Sequence, residues 1–168
     1  MSHHRHGAET TKVTLPSDRE IVLERAFDAP RELVFEAITR PSLIPSWWGP
    51  RRLATTVDKM DVKPGGHWRY IQRDADCKEY AFKGEYREIV PPERVAYTFE
   101  FEDMPGHILL ETVTLEEQDG RTIVRVTDSF DSAQDRDGML QSGMEAGARE
   151  TQDRFAELLE DLHRLMPC

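Results

Sequence analysis

Cysteine is scarce in this chain. Only Cys77 and Cys168 occur, far apart in sequence, so no disulfide framework is expected. Basic residues are in deficit: 22 Lys and Arg stand against 32 Asp and Glu, a formal charge of −10 with a pI near 5.1. That balance argues against nucleic acid and anionic membrane surfaces as partners, because both reward clustered positive charge. Long apolar runs are missing too. None approaches the roughly 20 residues needed to cross a bilayer, so no membrane insertion is expected. The segment Met1 to Thr11 is polar and His-rich, the reverse of a secretory signal. The final Met-Pro-Cys is not a prenylation box, and the expectation is a cytoplasmic protein. Catalytic signatures are equally sparse: there is no G-x-S-x-G, no phosphate loop and no Cys–His pair at a recognisable spacing. His67 and His107 stand beside turns, and His3, His4 and His6 have no acidic or cysteine partner at ligand spacing, so neither a metal nor a cofactor is expected.

What the chain does contain is enough for one globular domain. Its 168 residues are 38% hydrophobic and 32% charged, a composition that buries a core of its own. Residues 1–17 are polar and aperiodic and read as a flexible tail, leaving 18–168 as a single domain. Order begins at Glu20–Phe27, where Ile21, Leu23 and Phe27 alternate as in a half-buried strand. Asp28-Ala29-Pro30 starts a helix, with Pro30 placed where its missing N–H costs nothing. Leu33, Val34, Ala37 and Ile38 form its apolar stripe, Pro41 stops it, and a short helical turn follows over 42–48. From Leu53 to Asp128, turn signals at short intervals separate runs rich in β-branched and aromatic residues. Six strands in an antiparallel meander fit there and, with the first, make seven. The last segment, from about Ala133 to Met166, is helical, with Leu140, Met144, Ala148, Phe155, Leu158, Leu162 and Leu165 on one stripe. About 30 residues at ~1.5 Å each span ~45 Å, so this helix must lie along a curved sheet to bury that stripe. The architecture expected is α+β.

Several segments carry a family resemblance. Phe27-Asp-Ala-Pro-Arg-Glu-Leu-Val-Phe-Glu-Ala-Ile38 resembles the opening of START-like helix-grip proteins of the SRPBCC superfamily. Ser46-Trp-Trp-Gly-Pro50, Asp61-Val-Lys-Pro-Gly-Gly66, Gly84-Glu-Tyr-Arg-Glu-Ile89 and Pro92-Glu-Arg-Val-Ala-Tyr97 continue the resemblance. So do Glu111-Thr-Val-Thr-Leu115, Gly143-Met-Glu-Ala-Gly147 and Asp153-Arg-Phe-Ala-Glu-Leu-Leu159. The match runs in order over residues 20 to 165, and the nearest branch is that of the heat-shock-protein ATPase activator homologues. It implies a β-α-α-β6-α order and a cavity between the sheet and the long C-terminal helix. Members of the superfamily include lipid carriers, polyketide cyclases, chaperone activators and resistance proteins, so a fold of this kind does not name a function. One departure is the hairpin at Asp74–Lys78, where relatives often carry an Asp-Gly turn.

The leading functional expectation is a binder or carrier of a small apolar molecule, aromatic or lipid-like. An enzyme of cyclase or hydrolase type acting in the same cavity, or an interaction module like the chaperone-ATPase activators, are the alternatives. Trp68, Tyr70, Phe82, Tyr86, Tyr97 and Phe99 either line a pocket or fill an ordinary core, and their polar tips favour the pocket. Gly143 and Gly147 either thin the helix over a ligand or bring helix and sheet into close contact. Met139 and Met144 are deformable side chains suited to an apolar site, and equally to core filling. Trp47 and Trp48 either cap the pocket mouth or staple the short helix to the core. Glu111 interrupts an apolar strand on the face of Leu109, Val113 and Leu115. It is either a surface or salt-bridged residue, which is the ordinary case, or a buried acid–base candidate with Arg69 or His107 near it. A small antiparallel sheet also leaves edge strands that can pair, which leaves a homodimer open.

Overall fold

Eight strands, one more than the sequence suggests, form a single antiparallel sheet in the order β1-β2-β8-β7-β6-β5-β4-β3. The computed structural model describes residues 10–165, which places His3, His4 and His6 outside the described residues. The additional strand is β1, Lys12–Thr14, paired with β2, Glu20–Phe27. It falls inside the segment expected to be a loose tail. Its neighbour Thr11 explains the order: the residue is 4% exposed, its hydroxyl donates to Gln152, and its carbonyl accepts from Arg149 at 2.6 Å. These contacts are nonlocal, so no periodicity in a three-residue strand could announce them.

The rest follows the expected order. After β2 come α1 (Arg31–Thr39) and a 3₁₀ turn (Pro41–Ser46). The meander then runs through β3 (Ala54–Met60), β4 (His67–Arg73), β5 (Glu79–Val90), β6 (Arg94–Phe101), β7 (Leu109–Gln118) and β8 (Arg121–Ser129). Because β2 pairs with β8 while β3 lies on the opposite edge, α1 and the 3₁₀ turn must carry the chain across one end of the sheet. Register shifts at Val57/Lys59 and Tyr86/Glu88 add the local twist and bend that let the sheet curve. Gly84 serves the same curved face by close approach. A Cβ there would lie 1.8 Å from the Thr98 carbonyl oxygen and 2.5 Å from the Trp68 indole nitrogen, and that indole donates to the Thr98 carbonyl at 3.2 Å.

The long helix is two helices. Ser132 caps the first, α2 (Ala133–Gln141), by accepting from the Asp135 amide at 3.0 Å. The chain then turns at Gly143, whose φ of 84° lies in the left-handed region, and α3 (Met144–Arg164) begins. An ordinary residue in that conformation is strained, so Gly143 is a helix breaker and not a thinned point on a continuous helix. The buried residues of α3 are Phe155, Ala156 and Leu159. Leu158 and Leu162 are only half-buried, and Leu165 is 81% exposed. The apolar stripe therefore sits one residue round from the expected one over the last turns. Phe155 and Leu159 join Phe27, Val34, Val113 and Val124 in the main core. Among the described residues no helix is long and apolar enough to cross a membrane.

Candidate functional site

A cavity of about 410 Å³ lies between the sheet and α3. Strand alternation supplies its floor. Leu23 and Phe27 come from β2, Phe99 and Tyr97 from β6, Leu109, Glu111 and Val113 from β7, and Val124, Val126 and Asp128 from β8. The roof is one face of α3: Met144, Ala148, Thr151, Gln152 and Phe155 recur at helical spacing and all face the space, with Met139 of α2 beside them. One end is closed by Trp47-Trp48-Gly49-Pro50.

That end wall is held by an arginine. The Arg154 guanidinium donates to the backbone carbonyls of Pro45, Ser46, Gly49 and, more weakly, Trp48 and Pro50, at 2.7 to 3.4 Å. A loop that turns its carbonyls inward needs donors, and a planar guanidinium reaches several at once. The two tryptophans act as staple and wall together. Trp47 donates its indole N–H to the Ala37 carbonyl at 3.1 Å and meets Phe155 edge-on at 4.7 Å. Trp48 lies 5.0 Å from Tyr70 and 5.3 Å from Phe82, ring centre to ring centre.

The structure divides the expected site residues into two groups. Trp48, Phe82, Tyr97, Phe99, Met139 and Met144 line the cavity, as does Glu111. Trp68, Tyr70 and Tyr86 do not: they are 3 to 5% exposed and pack with Ile44 and Val95 in a second core cluster beside it. The helix glycines are not at the cavity either. Gly143 is exposed, and a Cβ on Gly147 would meet nothing within 4 Å. The next residue, Ala148, is the one that faces the space.

Glu111 is not a surface or salt-bridged residue. It is partly buried on the cavity floor and accepts a hydrogen bond from the Tyr97 hydroxyl. The neighbours expected for it are engaged elsewhere: Arg69 pairs with Glu102 at 2.7 Å, and His107 meets Asp135 at 3.0 Å. Its actual partner is Asp128, which sequence reasoning passed over. Tyr97, Glu111 and Asp128 are direct cross-strand neighbours on β6, β7 and β8, so pairing register alone sets them side by side. Alternation offered a signal, since Val124, Val126 and Asp128 fall on one face of β8. Burial raises the Asp128 carboxyl well above the usual carboxylate range, and the Glu111 carboxylate beside it pushes the same way. Two adjacent carboxylates cannot both ionise cheaply in apolar surroundings, which favours the protonated form of Asp128. Asp128 is 6% exposed and its Oδ1 has no hydrogen-bond partner among the described residues. Burial and the Glu111 charge likewise hold the Tyr97 phenol well above its ordinary range. Tyr86, which shares a side-chain hydrogen bond with Tyr70, is pushed up to about 12 by burial. Chemically, the floor offers an apolar bed with one acidic spot. Among the described residues no group of His, Cys, Asp and Glu is arranged to hold a metal.

The model of the family described as "Activator of Hsp90 ATPase homolog 1-like protein" matches residues 28–160. The chain belongs to this family. The match begins at the end of β2 and runs to the last turns of α3, so it takes in nearly the whole cavity. Among solved structures, a protein from Rhodobacter sphaeroides superposes with a TM-score of 0.85 at 21% identity, covering 90% of this chain and 99% of the other. One from Arthrobacter aurescens gives 0.83 at 22% identity, over 89% and 91%. The AHSA1 protein of Silicibacter pomeroyi gives 0.69 at 20%, over 84% and 97%. At these identities the likeness is one of fold. No curated protein matches the chain.

Proposed function

We propose that this protein binds a small, mostly apolar molecule in the cavity between the sheet and α3. The observation that carries the reading is the cavity itself. Its volume of about 410 Å³ lies within the usual range for small-molecule sites, roughly 300 to 1,000 Å³. Aromatic and aliphatic side chains make most of the wall, with a few polar groups set among them, which is the pattern of a site that takes up an apolar body and orients it. An apolar space of this size exposed to water is costly, and filling it recovers both transfer free energy and contacts. The test is uptake of a neutral solvatochromic dye such as Nile red, with quenching of Trp47 and Trp48 fluorescence as the second readout. A blue-shifted, saturable signal with a one-to-one end point is expected. A folded protein that leaves the dye unshifted refutes the reading.

A second reading, an enzyme of cyclase or hydrolase type, draws on the row of Tyr97, Glu111 and Asp128. A carboxyl that keeps its proton beside one that accepts is a pair suited to general acid–base work. Turnover lost in both Glu111→Gln and Asp128→Asn, with dye uptake intact, would support this reading over simple carriage.

A further inference from the structure

Among the described residues no Lys, Arg or His lines the cavity, although two carboxyl groups do. Two arginines in contact with residues near its walls are already committed. Arg25 donates to Asp153 at 2.8 Å and lies over the Phe27 ring at 5.1 Å, and Arg154 holds the loop carbonyls at the end wall. The carboxyl pair therefore faces apolar surroundings with no Lys, Arg or His among the described lining residues, and a negative charge there is unfavourable until a counter-charge arrives. Asp128 belongs to the cavity floor, and its buried Oδ1 has no hydrogen-bond partner among the described residues, whereas Glu111 is already engaged by the Tyr97 hydroxyl. The aromatic residues Trp47, Trp48, Phe99 and Phe155 border the same space, and a ring face turned to it would attract a cation.

We propose, resting on the binding function above, that the cavity selects apolar molecules carrying a protonated amine, with the ammonium seated against the Glu111–Asp128 pair and donating to a carboxyl oxygen there. A neutral alcohol of the same size satisfies the acceptor and leaves the charge unbalanced. A carboxylic acid is excluded: ionised, it adds a like charge beside the pair, and it offers no donor.

Three probes on one aromatic frame decide the matter: 1-naphthylmethylamine, 1-naphthylmethanol and 1-naphthoic acid. Each is titrated by calorimetry near neutral pH and by displacement of bound Nile red, into wild type and the double variant Glu111→Gln/Asp128→Asn. The amine should bind about tenfold or more tighter than the alcohol, the usual advantage of a charged hydrogen bond over a neutral one, and the acid should bind weakest. The double variant, which removes both carboxyl groups, should erase the advantage of the amine and leave the alcohol within a factor of a few. If that variant does not fold, the wild-type ranking of amine over alcohol over acid decides by itself. Equal affinity for amine and alcohol, or a preference for the acid, overturns the amine selectivity and leaves the apolar-ligand function standing. A cooperatively folded protein that takes up neither Nile red nor any of the three probes overturns both.

Discussion

Neighbouring positions on α3 should respond in opposite ways to added side-chain atoms. Gly147 lies inside the helix with open space where a Cβ would be, and Ala148 faces the cavity. Gly147→Ala should therefore stabilise by about 1 kcal/mol, the helix-propensity difference. For a domain of this size that corresponds to a rise in melting temperature of roughly 2–4 °C, and dye binding should not change. Ala148→Leu adds three carbons toward the cavity. At ~0.8 kcal/mol for each buried CH₂ the gain is at most about 2 kcal/mol, and lost rotamer freedom takes back ~0.5–1. The fold should keep or slightly improve its stability while Nile red binding falls severalfold. Thermal melts and dye titrations of both variants, side by side, check this. Suppose instead that Ala148→Leu destabilises by ~1–3 kcal/mol, the usual cost of overpacking, and neither protein binds dye. The interior is then full, and the cavity has no function. Loss of binding in Gly147→Ala with none in Ala148→Leu would mean that α3 presents the wrong face.

Leu159→Ala should cost about 2–5 kcal/mol, because the side chain is 2% exposed in the main core; Leu158→Ala, at a half-buried position, should cost clearly less in urea unfolding. Arg154→Ala strips donors from the end-wall carbonyls and should lower stability by about 1–3 kcal/mol, with a red shift in tryptophan emission as Trp47 and Trp48 loosen. Gly143→Ala, at φ 84°, should destabilise where Gly147→Ala stabilises. The Asp128 carboxyl is raised in the fold, so its neutral form favours the native state: that contribution is complete below the unfolded carboxylate range near ~4 and is lost as pH rises through the folded value. Asp128→Asn should therefore flatten a decline in stability with rising pH that wild type shows, and parallel stability-versus-pH curves for the two proteins would contradict a proton held there.

Local patterns in the sequence determined much of the fold. Alternation in Glu20–Phe27 and in the strands from 54 to 129, Pro30 and Pro41 around the first helix, and the turn residues between strands act over a few residues, so each is readable in place. The same patterns put Phe82, Tyr97, Phe99 and Glu111 on the face that becomes the cavity floor. Tertiary structure decided the rest, because the deciding contacts join residues far apart in the chain. Strand β1 exists through Thr11, Gln152 and Arg149, which are some 140 residues apart. The break at Gly143 depends on a backbone conformation that glycine permits but does not announce, and over the last turns of α3 Leu159 is the buried residue where Leu158 was expected. Above all, Glu111 becomes a member of a carboxyl pair only because β7 and β8 pair in the register that sets it opposite Asp128. A slip of one residue would send one carboxylate to the other face of the sheet. Which residues could be acidic in the interior is written along each strand; which two meet there is a property of the sheet.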